Sequence, residues 1–164
     1  MTSQPRGGAA RRRGRRAAAT LGAVSAGLLV LSACDEPTPM ATVTIGTDSI
    51  SAEAACYRTL DAAQAKECAQ EKPSKSIELP QGETLRIGVD PEVSETGWAL
   101  WINGEQATNN TFDKTYWSFE NADLFATQPG QPAQKSLTIS VVEQNAEGSK
   151  IEGVWNFELK NPDA

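Results

Sequence analysis

The chain has no histidine among its 164 residues, and it has only three cysteines and two methionines. Histidine is the commonest general base and the partner of serine or cysteine in nucleophilic catalysis, so its absence excludes those catalytic classes. Imidazole ligands for a metal are missing for the same reason, and Met40 is the one methionine that would remain as a soft ligand after loss of the N-terminal segment. We therefore expect no catalytic residue, no cofactor and no metal site, and we predict that the protein is not an enzyme.

The sequence also lacks an apolar run long enough to span a membrane. Residues 17–31 are apolar except for Thr20 and Ser25, whereas a spanning helix needs about 20 such residues. Six arginines and no acidic residue precede this run, and two small residues follow it before Cys34. A positive head, a short apolar segment and a small-residue end are typical of a cleaved secretory signal.

The end of that segment, Leu31-Ser32-Ala33-Cys34, resembles the lipobox of bacterial lipoproteins. The resemblance implies that a diacylglycerol is attached to the thiol of Cys34 and that residues 1–33 are removed as a signal peptide. The new N-terminus would then lie at the extracytoplasmic face of the cell membrane. Residues 34–40, with two prolines and two acids, are predicted to be a tether before a domain at 41–164. The export route stays open between general secretion and the twin-arginine pathway.

Cleavage would make the protein strongly acidic. All six arginines before Cys34 would be lost, which leaves nine basic residues against 21 acidic ones and changes the net charge from −6 to −12. Such a charge argues against nucleic acid as a partner and against a polybasic contact with anionic lipid. Membrane attachment would depend on the acyl chains, and two chains hold a protein where one is marginal.

Beyond residue 41 the apolar residues mostly alternate with polar ones, which is the period of a half-buried β-strand. Short strands between Gly- and Pro-containing turns predict an all-β fold, an immunoglobulin-like antiparallel β-sandwich of about seven strands. Asn103-Gly104 is a strong signal for a two-residue hairpin. The alternating segments are 42–45, 76–79, 84–89, 98–102, 137–141 and 154–159.

One segment departs from this pattern. Residues 59–72 are rich in Ala, Gln, Glu and Lys, which favour helix, and Pro73 ends the run, so we predict a short exposed helix at about residues 60–71. With Cys34 assigned to the lipid, Cys56 and Cys68 remain as an even pair in an exported protein. We predict that they form a disulfide that ties the helix to the strand carrying Cys56; a redox-active pair is the alternative.

Catalysis by two carboxylates would not need histidine. Asp90, Glu92 and Glu95 lie together in residues 90–97, which we interpret as a loop. Clustered oxygen ligands also give this loop a weak likeness to a calcium site, but the spacing matches no calcium loop. A solvated acidic loop is the simpler interpretation.

Two aromatic residues are candidates for ligand binding. Trp98 and Trp155 lie on the apolar phase of their predicted strands and are expected in the core, whereas Trp101 is out of phase. Exposed side by side, Trp101 and Tyr116 would form a platform for stacking sugars or for holding a protein partner. The alternatives are that Trp101 is covered by the predicted helix, or that both sheet faces are partly covered.

Five segments after Cys34 together form a recognisable pattern: 42–46 (TVTIG), 55–57 (ACY), 85–92 (LRIGVDPE), 97–100 (GWAL) and 153–157 (GVWNF). With these segments the chain resembles an uncharacterised family of small actinobacterial lipoproteins, a domain of unknown function. The resemblance covers nearly all of the chain after Cys34 and implies the location and the fold, but it supplies no functional residues.

We therefore expect a membrane-anchored extracytoplasmic lipoprotein that acts as a non-catalytic binding or accessory module. Its expected partners are the membrane, through the N-terminal lipid, and a protein or a cell-wall glycan. Glycan binding through exposed aromatic residues is the first alternative function, and a carboxylate-based hydrolase is the second.

Overall fold

The protein forms an all-β sandwich, as the sequence predicts. The computed structural model describes residues 37–120, 124–125 and 132–164. The predicted signal peptide, Cys34 and the first tether residues lie outside these ranges. Within them, the elements are β1 (Met40–Ile45), β2 (Asp48–Glu53), β3 (Cys56–Leu60), α1 (Ala62–Ala69), β4 (Ser76–Glu78), β5 (Leu85–Val89), α2 (Pro91–Thr96), β6 (Trp98–Ile102), β7 (Glu105–Gln106), β8 (Tyr116–Phe119), β9 (Ser136–Gln144) and β10 (Ile151–Lys160).

Two sheets enclose one core. Sheet A has the strand order β2-β1-β5-β8 and is antiparallel throughout. Sheet B has the order β3-β10-β9-β6-β7, and β4 adds to β10 as a short parallel strand. The strands that fall outside the alternating segments include β2, β3 and β7, whose residues are mostly exposed. Because such strands bury little, their sequences need no apolar alternation.

The core between the sheets follows from the period-two pattern of the sequence. Alternate residues of each strand point inward, so the apolar phase of sheet A meets that of sheet B. Trp98 and Trp155 are fully buried there, as predicted, and Phe157 is fully buried beside them. Other core residues are Val43, Ile45, Leu85, Ile87, Val89, Leu100, Leu137, Ile139, Val141 and Leu159.

Sheet B has a second apolar layer on its outer face. Helix α1 packs against β3, β9 and β10, and it covers Trp101, Val142 and Val154. Strands β9 and β10 are therefore buried on both faces, which explains why their central residues form nearly continuous buried runs.

Helix α1 lies within the predicted range of 60–71 and is shorter by two residues at each end. Asp61 starts it with a capping box, in which its side chain accepts from the Gln64 backbone and the Gln64 side chain accepts from the Asp61 backbone. The predicted disulfide is present and joins Cys56 at the start of β3 to Cys68 in α1, with a Cα–Cα distance of 6.1 Å. The helix is less exposed than expected, since Ala65, Cys68 and Ala69 are buried.

A predicted hairpin and a predicted loop can be compared with the structure. The predicted hairpin at Asn103-Gly104 is confirmed: it joins β6 to β7, and both residues have positive φ, as a type I′ turn requires. The segment predicted to be an acidic loop is instead helix α2, so that expectation is wrong. Pro91 occupies the first turn with its φ already fixed, and Gly97 ends the helix at φ 102°.

The fold begins before residue 41. The indole Nε1 of Trp155 donates to the carbonyl of buried Pro39 at 2.8 Å, and the Met40 amide donates to Asp90 Oδ2 at 2.8 Å. The compact unit accordingly runs from Thr38 to Ala164. No helix in the described ranges is long and apolar enough to cross a bilayer.

Glycine is required at position 153 by close packing. A Cβ placed there would lie 2.7 Å from Cζ3 of Trp155, closer still to Cη2 of the same ring, and 3.0 Å from Cδ2 of Tyr57. The Trp155 ring lies back over Gly153, next to a register irregularity in β10. A side chain at this position would displace the ring that also binds Pro39.

We predict that Gly153→Ala destabilises the protein by about 1–3 kcal/mol, the usual cost of overpacking a core. Chemical denaturation followed by circular dichroism measures the change. Gly88→Ala is the matched control, because a Cβ at Gly88 meets its nearest neighbours at 3.8 and 3.9 Å, which is ordinary contact. Equal stability of Gly153→Ala and Gly88→Ala would contradict the packing described here.

Candidate functional site

Trp101 does not form part of an exposed platform. Its side chain lies on the outer face of sheet B beneath α1 and is 8 % exposed. The expectation that Trp101 is exposed beside Tyr116 is therefore wrong, and the alternative, that the helix covers it, is what the structure has. The disulfide holds α1 over this side chain.

Tyr116 is 51 % exposed, but it belongs to β8 in the other sheet. It points away from the core, while Trp117 and Phe119, its neighbours in the strand, pack against Phe112 at ring-centroid distances of 4.7 and 5.7 Å. The two candidate residues are thus separated by the thickness of the sandwich. The alternation within each strand correctly predicts that both side chains point away from the core. It does not show which of the two outer faces is covered by another element.

Trp101 nevertheless lines a small cavity of about 320 Å³ between α1 and the β6–β7 hairpin. The Lys66–Glu105 ion pair bridges the helix and the hairpin, and Gln144 Nε2 donates to Gln106 Oε1 at 3.3 Å. The Nε1 of Trp101 is buried without a hydrogen-bond partner among the described residues. Since so little of its indole is exposed, Trp101 offers only a narrow surface for stacking.

The outer face of sheet A, which we call the open face, is a polar surface built by four strands. The strand register aligns its outward residues in two rows of four, and none of the eight is buried. The first row is Ser51, Thr42, Gly88 and Tyr116, and the second is Ser49, Thr44, Arg86 and Ser118.

The hydroxyls of the open face are paired across strands. Thr42 Oγ1 and Ser51 Oγ are 2.8 Å apart, and Thr44 Oγ1 and Ser49 Oγ are 2.9 Å apart. Each pair uses one hydroxyl proton, so one donor and several lone pairs per couple remain available to a ligand. These pairs fix the hydroxyls in place before anything binds.

Arg86 is the basic residue of the two rows. It is half-buried between Thr44 and Ser118, and neither an ion pair nor a side-chain hydrogen bond joins it to any residue in the described ranges. Glu53 and Glu120 lie at the margins, in β2 and directly after β8. A guanidinium left without a carboxylate partner is suited to an external anion.

The chain was compared with protein families, curated proteins and solved structures. No family model, no curated protein and no solved structure matches the chain. The resemblance to actinobacterial lipoproteins therefore stays a prediction.

The carboxylates considered for catalysis take structural or solvent-facing positions. Asp90 precedes α2 and accepts the hydrogen bond from the Met40 amide, which fastens the start of β1 to the end of β5. Glu92 and Glu95 lie in α2 and are exposed. All three carboxyls are exposed to solvent, whereas a catalytic acid is usually held in a pocket shielded from water.

Glu143 is a buried carboxyl that the sequence analysis missed. It is 2 % exposed, lies between Trp98 and Gly153 in sheet B, and has one oxygen, Oε2, without a partner among the described residues. It continues the inward phase of Leu137, Ile139 and Val141, so extending that alternation by one step would have found it. The predicted strand ended at Val141, three residues before β9 ends at Gln144.

The surroundings of Glu143 favour its neutral form. Burial raises the pKa of this carboxyl above its ordinary value of 4.5, and the charges of Glu152 and Glu92 raise it further. A hydrogen bond with the Thr96 side chain and the charge of Lys150 oppose the shift. Lys150 is itself paired with Glu152 at 2.8 Å, which limits its effect on Glu143.

We predict that Glu143→Gln is more stable than the wild type at pH 7. Because the folded-state pKa lies above 4.5, the stability that protonated Glu143 confers is complete below pH 4.5 and is lost as the pH rises through the folded-state pKa. The difference in free energy of unfolding between variant and wild type should therefore grow with pH over that interval and then level off. Urea denaturation at several pH values measures it.

The exposed Glu78→Gln variant is the control for this experiment and should follow the wild type at every pH. If the curve of Glu143→Gln ran parallel to that of the wild type, the burial of an unfavourably charged Glu143 would be refuted.

Proposed function

We propose that this protein is an extracytoplasmic lipoprotein, anchored in the cell membrane through Cys34, whose folded domain is a non-catalytic binding module. The lipobox-like residues 31–34 support the anchor, and the uneven covering of the two sheets supports the binding role. Helix α1 covers the outer face of sheet B, while the eight residues of the open face on sheet A are accessible. That accessible, ordered polar face is the observation that carries the binding role.

The N-terminal attachment of the fold suits an anchored domain. Trp155 and Asp90 fasten the chain at Pro39 and Met40 by hydrogen bonds of 2.8 Å. Only residues 35–38 separate Pro39 from Cys34, so chain length limits an extended tether to about 17 Å. A lipid at Cys34 would keep the domain close to the bilayer surface.

The binding role also agrees with the chemistry of the described residues. A hydrolase built on Asp90, Glu92 and Glu95 is disfavoured, because these carboxyls are exposed and Asp90 binds a backbone amide. Glu143 is enclosed between Trp98, Gly153 and Thr96, where a substrate would have to displace core packing. A binding module needs none of these groups to react.

We predict that the full-length chain, expressed in a bacterium supplied with an alkyne-labelled fatty acid, incorporates the label and partitions into the detergent phase. Cys34→Ala should be unlabelled and keep its signal peptide, because the thiol that accepts the diacylglycerol is gone. Mass spectrometry measures both properties.

Cys56→Ser serves as the matched control and should still be labelled, since that cysteine forms the disulfide with Cys68. A Cys34→Ala protein that is cleaved and remains in the membrane fraction would overturn the proposed anchor.

A further inference from the structure

The open face of sheet A has the chemistry of a saccharide site. Building on the proposed binding function, we infer that it binds an acidic glycan, with the ring of Tyr116 stacking on a sugar ring and the guanidinium of Arg86 pairing with a carboxylate of the same chain. Four observations carry this inference: an exposed aromatic ring, a residue without a side chain beside it, hydroxyls that pair with one another, and a cation with no anionic partner among the described residues.

The ring and the gap are adjacent in the first row. Tyr116 pairs with Gly88, which has no side chain, and the next outward side chain is Thr42 on the far side of Gly88. Thr42 and Tyr116 are two strand spacings apart, roughly 9–10 Å. Within 4 Å of the position that a Cβ on Gly88 would take lie the backbone oxygen of Thr115 and the Cβ of Thr42, so Gly88 itself is not covered by a larger side chain among the described residues. The result is a shallow trough along one side of an aromatic ring.

The hydroxyls lie where a chain crossing the strands would pass. Thr42 and Ser51 continue the row of Tyr116 and Gly88, and Thr44 and Ser49 continue the row of Arg86. Their mutual hydrogen bonds of 2.8 and 2.9 Å hold them in fixed positions, which lowers the entropic cost of ordering them around a ligand. Alternating donors and lone pairs suit a polyhydroxylated ligand.

The positive charge of Arg86 favours an acidic glycan over a neutral one. Arg86 pairs with Ser118, two residue pairs along from Gly88–Tyr116 and the next pair that faces outward, and its guanidinium has no anionic partner among the described residues. A planar guanidinium binds a carboxylate through two parallel hydrogen bonds. A neutral glycan would leave this cation unpaired, so a uronic acid or another sugar acid fits better.

Other macromolecules fit the face less well. Apart from Tyr116 and Arg86, its two rows consist of Ser, Thr and Gly, without the apolar centre that protein interfaces have. Nucleic acid would require several cations, whereas these rows contain one and the chain as a whole is acidic.

Two hexasaccharides test the inference. The hyaluronan hexasaccharide alternates glucuronate with N-acetylglucosamine, and chitohexaose contains N-acetylglucosamine alone and carries no charge. We predict that the full-length lipoprotein in neutral detergent binds the first about tenfold more tightly than the second at low salt, by isothermal titration calorimetry. The preference should shrink as salt is added, because it depends on a partly exposed charge.

Three variants separate the contributions. Tyr116→Ala should weaken binding of both saccharides about tenfold, the effect of losing one stacked ring. Arg86→Gln should weaken hyaluronan binding about tenfold and so abolish the preference for hyaluronan over chitohexaose. Arg58→Gln is the matched control, since Arg58 is exposed on β3 of the other sheet, and it should behave as the wild type.

The inference is overturned if neither saccharide binds, if both bind equally well, or if Arg58→Gln and Arg86→Gln have the same effect. These outcomes are distinct from failure of the proposed anchor, which the labelling of Cys34 decides without any saccharide. A labelled, membrane-bound protein with no affinity for the hyaluronan hexasaccharide would refute the glycan site and leave the proposed lipid anchor standing.

Discussion

The burial of β9 and β10 on both faces is the constraint on which the rest of this structure depends. Their inner residues, such as Val141 and Phe157, face sheet A, while Val142 and Val154 on the outer side are covered by α1. Strands that are buried on both faces need a second layer to cover their outer face. A helix of eight residues provides that layer only if other contacts hold it in place. The Cys56–Cys68 disulfide and the contacts of buried Asn156, whose side chain donates to the carbonyls of Cys68 and Glu71, hold it there.

The same constraint makes the molecule asymmetric. With its one longer helix committed to sheet B, the described part of the chain leaves the hydroxyl-lined face of sheet A accessible. The start of the fold is fastened by Trp155, whose ring packs over Gly153 and whose indole nitrogen binds Pro39. One tryptophan thus connects the core to Pro39, near the end of the predicted tether that adjoins the domain. An anchored domain with one covered and one open face is the physical basis of the proposed function.

Much of this fold was predictable because burial imprints its period on the sequence. Alternation located β1, β5, β6 and β10, Asn103-Gly104 gave the hairpin, and cysteine parity gave the disulfide. Residues 90–97 were misjudged because their acidic composition suggested a loop, whereas Pro91 and Gly97 set the limits of a short helix. The prediction of a binding platform was wrong for another reason. The alternation within the strand shows that Trp101 points outward, but only tertiary packing decides that α1 covers it. Arg86 and Gly88 became candidates through strand register, which one sequence does not contain.

Hydroxyl-radical footprinting with mass spectrometry tests the central claim, that one outer face is covered and the other is open. Rates are compared with those of the same residues in the unfolded protein. The account predicts that Tyr116 is oxidised several times faster than Trp101 in the folded protein, because Tyr116 is 51 % exposed and Trp101 8 %. Equal protection of the two residues, or faster oxidation of Trp101, would contradict it.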